Sequence, residues 1–500
     1  MNRENLAVDR TQSPRSPRDQ RALIAVDLGA ESCRVSLLRW EDGRPSIHLV
    51  RRFPNDAIAR PDGLRWDIHR ILSELERGLE DCSTIATEGI RSIAVDGWAV
   101  DYVRLNAHGI AVDDPFCYRD ERTLASEPIL HQRLRAESMR DITGIQLLRI
   151  NTAYQMVADG SDLRVLRWLN LPEYILYRLG GRPVAEVTNA SHTQLLGLNG
   201  EWSREVFAAV DTPIDTAPTL VFSGTDLGQL GGRLAELPAF AGTRLIAPAC
   251  HDTASAIASI SDTSDEWAYI SSGTWSLVGT VLNSPINTQL ARSLNFTNLH
   301  GVDGTFCLHK NVNGMWLLRQ CMEVWNQDAK QANLDPLTVS HLIEAAAAVT
   351  SRSYTLDVDD PELLLPGRMP ERINAQLRRR GLRELNPTRE HAAEVASFLF
   401  HSLAARYAEV LERVATITGK DLQRLYVMGG GSQNKLLNRL TAEATGLEVI
   451  CAGTECSTVG NFAVQLAALE DPGNVTDRRT STWAARLRRQ QTIHNGRLEK

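Results

Sequence analysis

The residues whose types and spacing could do chemistry fall in four short segments. In the first, Asp27 precedes the turn Gly29-Ala-Glu-Ser-Cys-Arg34, with glycine at its tip. A tip of this kind can turn several backbone N–H groups toward an anion. The second, Ser271-Ser-Gly-Thr-Trp-Ser276, repeats it about half the chain later. Setting Asp27 against Ser271 pairs Gly29 with Gly273, Ala30 with Thr274 and Ser32 with Ser276. Two facing tips would clamp a phosphate, although either one alone is equally an ordinary hairpin turn. In the third, Gly429-Gly-Gly-Ser-Gln-Asn434 separates a strand pattern from a helix pattern. Glycine there lets the backbone approach a planar ligand, or simply packs closely. In the fourth, His251 and Asp252 stand where the apolar run Arg244-Leu-Ile-Ala247 gives way to an Ala-rich run ending at Ala258. Open α/β sheets place ligands at such strand ends, so Asp252 is either a base or merely the N-cap of the helix that follows.

Around each tip the chain reads strand, polar turn, strand, from Ala22 onward in the first copy and from Ala268 to Leu282 in the second. Ser92–Asp96 and Asp101–Asn106 read as further strands of the first half. Leu425–Met428 and Glu448–Ala452, alternating with helices from Ala392, Lys435 and Thr458, belong to the second. The expected class is α/β with two similar domains, since a repeat of this period is too long for a solenoid. A chain of 500 residues also exceeds what one core usually organises. The expected divisions are a disordered tail over 1–20, domains over 21–260 and 261–470, and a C-terminal tail over 471–500. The polar run Ser261-Asp-Thr-Ser-Asp-Glu266 marks the join.

Hydrophobic residues make up 43% and charged residues 23% of the chain, which argues against extended disorder or a fibrous repeat. A net charge of -7 leaves no broad basic surface for nucleic acid or anionic lipid and points to small-molecule partners. The eight cysteines are dispersed without CxxC or zinc-type spacing, so buried reduced thiols are expected. The most apolar long stretch, His391–Leu411, is broken by Glu394, His401, Arg406 and Glu409. It falls short of the roughly 18 uninterrupted apolar residues of a membrane span. The N-terminal stretch has no apolar signal region, and with the free thiols this makes a cytoplasmic setting the expectation. There is no P-loop pattern and no Gly-x-Gly-x-x-Gly after an early strand.

Taken together, the chain from Ala22 to Leu469 resembles the FGGY carbohydrate kinases. The resemblance rests on Ala25-Val-Asp-Leu-Gly-Ala30, Tyr118-Arg-Asp-Glu-Arg-Thr123, Gly144-Ile-Gln146 with Asn151-Thr-Ala-Tyr-Gln155, and Thr188-Asn-Ala190. It rests equally on His251-Asp-Thr-Ala-Ser255, Ser271–Ser276, Lys310-Asn311 with Gly314 and Trp316, and Gly429–Asn434. It implies two actin-like ribonuclease H-type domains closing on a cleft that holds Mg-ATP and a ketose. By matching position, Ala30, Glu31, Ser32, Cys33 and Arg34 would line the ATP phosphates, and Asp27 would hold Mg²⁺ directly or through water. Gly273 and Thr274 would meet the γ-phosphate, Gly430 and Gly431 would lie along adenine or ribose, and Arg319 would be a further ATP contact. Ala99, His251, Asp252, Thr253 and Asn311 would contact the sugar, with Asp252 the proton acceptor. These roles agree with what phosphoryl transfer needs: alignment, charge neutralisation, and a base for a weak hydroxyl nucleophile. Mg²⁺ typically takes only one or two protein carboxylates. A monomer or homodimer would suffice.

Within that family the pattern is nearest to members acting on rhamnulose-type ketoses. The segment Asp96-Gly-Trp-Ala-Val-Asp101 departs from it at Gly97 and Ala99, where threonine and glycine are expected, while Cys33 replaces a glycine and Arg319 a glutamine. L-Rhamnulose is therefore the first expectation, with fuculose, xylulose or a related ketose the alternative. The rivals of another class are a catalytically silent sugar- or nucleotide-binding regulator and an actin-like ATPase. A silent regulator has no need of Asp27, Asp252 and the Gly273-Thr274 tip together.

Overall fold

The computed structural model describes residues 17–160, 166–350, 352–365, 367–471 and 480–489. Residues 1–16 of the expected N-terminal tail lie outside the described residues. The apolar run at the start of the first half forms β1 (Ala22–Leu28), buried at every position, as a strand covered on both faces requires. β2 (Ser32–Glu41) returns antiparallel to it, and β3 (Arg44–Pro54) is antiparallel to β2. On the other side β1 pairs in parallel with β4 (Ile90–Gly97). β5 (Thr225–Gln229) and β6 (Arg244–Ala247) complete the order β5-β6-β4-β1-β2-β3.

The second half builds β7 (Trp267–Ser272), β8 (Trp275–Leu282), β9 (Thr297–His300), β10 (Phe306–Asn313), β11 (Arg424–Met428) and β12 (Glu448–Gly453). Their order is β9-β10-β8-β7-β11-β12. Strands β3-β2-β1-β4-β6 and β10-β8-β7-β11-β12 agree in order and direction. The duplicated α/β core expected from the two tips is therefore present.

In each half the last strand of this core leads into a helix at the junction: β6 into α1 (Asp252–Ala258) and β12 into α5 (Cys456–Glu470). Between them in sequence lie α2 (Trp316–Gln331), α3 (Ala392–Thr418) and α4 (Lys435–Thr445). α1 and α5 meet backbone to backbone, since a Cβ on Gly460 would lie 1.7 Å from the Ser255 carbonyl oxygen. α5 also covers the first sheet, with Val459, Phe462 and Leu466 packed on Leu23, Ala25 and Leu38. Of the expected C-terminal tail, residues 472–479 and 490–500 lie outside the described residues, while α6 (Thr480–Arg489) buries Trp483, Ala484 and Leu487 in this core. Spacing by three and four places those residues on one helix face. All eight cysteines are unbridged, seven of them buried. Among the described residues no helix is long and apolar enough to cross a membrane.

Candidate active site

β1 and β4 carry the same tetrapeptide, Ile24-Ala-Val-Asp27 and Ile93-Ala-Val-Asp96, paired residue for residue. Both acids thus arrive side by side at the carboxyl end of the sheet. Asp96 is wholly buried and accepts from Asn461 Nδ2 at 2.6 Å, while its Oδ1 has no partner among the described residues. Burial, then the charges of Asp27 and Asp252, push its carboxyl well above the ordinary range. Asp27 is compensated: Arg34 Nη1 and Ser457 Oγ donate to its Oδ2 at 2.9 and 2.8 Å. Ser457 and Asn461 lie one turn apart on α5, so a helix from the second half serves the acids of the first.

The loop between β6 and α1 is held from below. Fully buried Glu186 accepts from Cys250 N at 2.9 Å and from the Thr188 hydroxyl, whose oxygen accepts from His251 N at 3.3 Å. His251 occupies the N-cap position and Asp252 is the first helical residue, so Asp252 is not the cap. Its Oδ1 accepts from the adjacent Thr253 N and lies 3.3 Å from His251 Nε2. Burial, with the charge of Asp27 second, pushes the Asp252 carboxyl up to about 7. The side chain still keeps 35% of its surface open. An acid titrating near neutrality and reachable by a ligand is suited to take a proton.

A cavity of about 560 Å³ opens between the halves. Ala30, Glu31, Ser32 and Arg34 line it at the first tip, and Ala99, His251, Asp252 and Thr253 line it beyond. Gly273, Thr274, Asn311 and Gly430 line it from the second half. Four expected contacts stand back from it. Asp27 is only 4% exposed and bonded to Arg34. The Cys33 side chain is buried in the core, so only its backbone could serve a phosphate. A Cβ on Gly431 would lie 2.0 Å from Ser272 Oγ, which makes that glycine a packing residue, whereas one on Gly430 would meet nothing within 4 Å. Arg319 reaches the site through Glu31.

The second tip is one residue shorter than the first. Leu28 pairs with Cys33 across the first and Ser272 with Ser276 across the second. Ser276 therefore takes the place of Cys33, not that of Ser32 as the gapless alignment had it, and Leu277 takes the place of Arg34. Met315 N and Trp316 N, at the start of α2, donate to the carbonyls of Gly273 and Thr274 at 3.1 and 3.2 Å. This seats α2, and Arg319 on it, over the tip. Glu31 Oε1 accepts from Thr274 Oγ1 at 3.1 Å and from Arg319 Nη1. The halves are also joined by Thr253 Oγ1 and Ser271 Oγ at 3.4 Å, and by Gln146 Oε1, which accepts from Asn311 N and Nδ2 at 3.2 and 3.1 Å.

The departures at 97 and 99 separate physically. A Cβ on Gly97 would lie 2.6 Å from Leu28 Cβ, a packing matter, whereas Ala99 faces the cavity. Beside it Val100 has φ 73, unusual for a β-branched residue. Thr152 Oγ1 and Gln155 Nε2 hold its carbonyl at 2.7 and 3.2 Å. Buried Asp101 is fixed in turn by the indoles of Trp66 and Trp98 at 2.6 and 3.0 Å and by Gln155 at 3.0 Å.

Sequence reasoning missed Asp96, Ser457, Asn461 and Glu186. The repeated Ile-Ala-Val-Asp could have revealed the first; the others are brought in by packing of distant elements. Among the described residues no three acidic, histidine or cysteine side chains form a ready metal cage. One unpartnered carboxylate oxygen beside two further acids does fit a hard dication completed by water and phosphate oxygens.

The FGGY family of carbohydrate kinases matches through both its domains, the N-terminal over residues 22–258 and the C-terminal over 268–469. The rhamnulokinase of Ligilactobacillus salivarius (strain UCC118) is 34% identical over 458 residues, covering 91% of this chain and 92% of its own. A ligand-bound xylulose kinase from Lactobacillus acidophilus shares the fold with a TM-score of 0.73 at 14% identity, over 94% of this chain and 96% of that one. Plasmodium falciparum glycerol kinase with ADP does so at 0.67 and 13%, over 94% and 98%. With both domains matched along most of the chain, this protein belongs to the FGGY family of carbohydrate kinases.

Proposed function

We propose that this kinase phosphorylates L-rhamnulose on the terminal hydroxyl next to its carbonyl, using Mg-ATP, with Asp252 as the base. The observation that carries this reading is an acid titrating near 7 on a cleft enclosed by two glycine-tipped turns. The sugar comes from the rhamnulokinase relative, identical at 34%. Asp252 takes the hydroxyl proton as that oxygen bonds the γ-phosphorus and the bond to the ADP oxygen breaks; Asp252 then returns the proton to solvent. Bound Mg²⁺ supplies charge neutralisation at the phosphate oxygens, and Asp27, directly or through water, and Asp96 would hold it. The backbone N–H groups of Ala30 to Arg34 and the Gly273-Thr274 tip would receive the phosphates, Gly430 the nucleoside, and His251, Thr253, Asn311 and Ala99 the sugar. Closure of the halves excludes water as a competing acceptor.

The residues proposed for ATP and the ketose all come from one chain, which suits a monomer or a homodimer alike. Eight unbridged cysteines suit a reducing, cytoplasmic setting. A coupled ADP-release assay with L-rhamnulose, L-fuculose, D-xylulose and glycerol tests the reading. The highest kcat/KM is expected for L-rhamnulose, and ADP release at the same rate without any sugar would refute it.

A further inference from the structure

Beyond the residues already given to the sugar and the nucleotide, two buried polar side-chain atoms of the cleft wall have no hydrogen-bond partner among the described residues. His192 ends the short helix Val187–His192 and lines the cavity. Its ring packs on His251 with centroids 4.0 Å apart at 58°, and its Nε2 is buried with no hydrogen-bond partner among the described residues. Thr297, the first residue of β9, lines the same cavity from the other half. It is 1% exposed, and its Oγ1 likewise has no partner among the described residues. A buried polar group left unpaired is costly, and such groups usually acquire a partner from protein, water or ligand.

The placement says which partner. Asp252, His251 and His192 touch in succession, with 3.3 Å between the first two and tilted rings, centroids 4.0 Å apart, between the second and third. A chain of hydroxyls whose reacting end lies at Asp252 would extend along that succession toward His192. Burial holds the His192 imidazole neutral, its pKa lowered to about 3, so it offers one donor and one acceptor and no charge. A hydroxyl can donate or accept, which suits both a neutral imidazole and a threonine hydroxyl. The two residues belong to opposite halves, and Ser191 Oγ accepts from His300 N at 3.1 Å beside them. They would therefore part if the halves opened and meet again on closure.

We infer that His192 and Thr297 form a two-sided subsite that reads a ketose hydroxyl distal to the one phosphorylated, engaged as the halves close. This rests on the ketose-kinase reading and adds the residues that discriminate among ketoses. The experiment measures kcat/KM for L-rhamnulose and its 3-, 4- and 5-deoxy forms with wild type, His192→Phe and Thr297→Val. Thr297→Val preserves shape, so it remains informative even if His192→Phe fails to fold. In wild type, loss of one particular hydroxyl should cost about 10- to 100-fold. In either variant that same loss should cost no more than about twofold, with the other deoxy penalties and the KM for ATP retained. Unchanged penalties for every deoxy form in both folded variants would overturn the subsite and mean that water fills it. A wild type inert toward all ketoses would overturn the kinase reading, and the subsite with it.

Discussion

The two turns facing the cleft share one scaffold and carry different chemistry. At the end of β1 stands Asp27 opposite Arg34; at the matching place of β7 stands Ser271 opposite Leu277. Asp96 and Asp252 add further carboxyl groups to the first half, while Ser271, Ser272 and Thr274 make the second tip a hydroxyl surface. Duplication supplied two backbone tips in mirrored positions, but one dication and one base are enough for the reaction. A second set of acids would only repel the phosphates that the tips must receive.

If charge chemistry resides in the first half, the largest loss follows removal of its base. Asp252→Asn keeps the shape and should lower ketose-dependent kcat by about 10² to 10⁴. Calorimetric binding of a non-hydrolysable ATP analogue should stay near wild type. A wild-type kcat would show that Asp252 moves no proton. Only the carboxylate accepts a proton, so kcat/KM for the ketose should fall as pH drops through about 7. Stability runs the other way. Folded Asp252 binds its proton more tightly than the unfolded chain does, with its ordinary value at 3.8, so its contribution is largest below that value and is lost as pH rises through about 7. The melting temperature of Asp252→Asn should therefore exceed that of wild type at about pH 8, with the gap closing toward about pH 4.

The asymmetry of the tips predicts unequal losses when each is disarmed. Asp27→Ala removes an acceptor of two charge-assisted or hydroxyl bonds and leaves Arg34 without it. It should lower kcat/KM for Mg-ATP by about 10- to 100-fold, and Thr274→Ala, losing a neutral hydroxyl, by about 2- to 10-fold. Equal losses in steady-state kinetics would mean that the tips are functionally equivalent despite their different residues.

Much of this was legible in the sequence because it is local. The tips, the α/β class and the Asp252 loop each follow from a turn glycine, an apolar run or a strand end. What escaped depends on register or on distant packing. One residue of tip length moved Ser276 from the place of Ser32 to that of Cys33, and in a strand such a slip exchanges faces. Ser457 and Asn461 sit in a segment that belongs to the second half by sequence and serves Asp27 and Asp96 by packing. The α6 helix was hidden by its polar composition, Thr480-Ser-Thr-Trp-Ala-Ala-Arg-Leu-Arg-Arg489, which carries only a narrow apolar stripe.

The sugar side permits a finer cut. Ala99 adds a methyl to the cavity wall, and a methyl's worth of pocket is worth about 10-fold or more in discrimination. Ala99→Gly should change the ratio of kcat/KM between L-rhamnulose and L-fuculose by about that factor, with KM for ATP unaltered. An unchanged ratio would make Ala99 a packing residue, like Gly97.

The smallest effect concerns the one residue that the first tip has and the second lacks. Glu31 is the additional tip residue, and it crosses the cleft to accept from Thr274 Oγ1 and Arg319 Nη1, two groups proposed to meet ATP. A carboxylate there competes with phosphate for the same donors, so an incoming triphosphate has to displace it. The ion pair is half exposed, with 53% of the Glu31 and 43% of the Arg319 side chain open to solvent, and pairs of that kind contribute about 0.2 to 1 kcal/mol. Glu31→Gln should therefore tighten binding of a non-hydrolysable ATP analogue by no more than about fivefold. The gain should shrink as salt is raised, because screening weakens the competing pair first. Weaker nucleotide binding in this variant would reverse the assignment and make Glu31 a ligand of bound Mg-ATP, the extra tip residue then assisting the phosphates instead of guarding their seat.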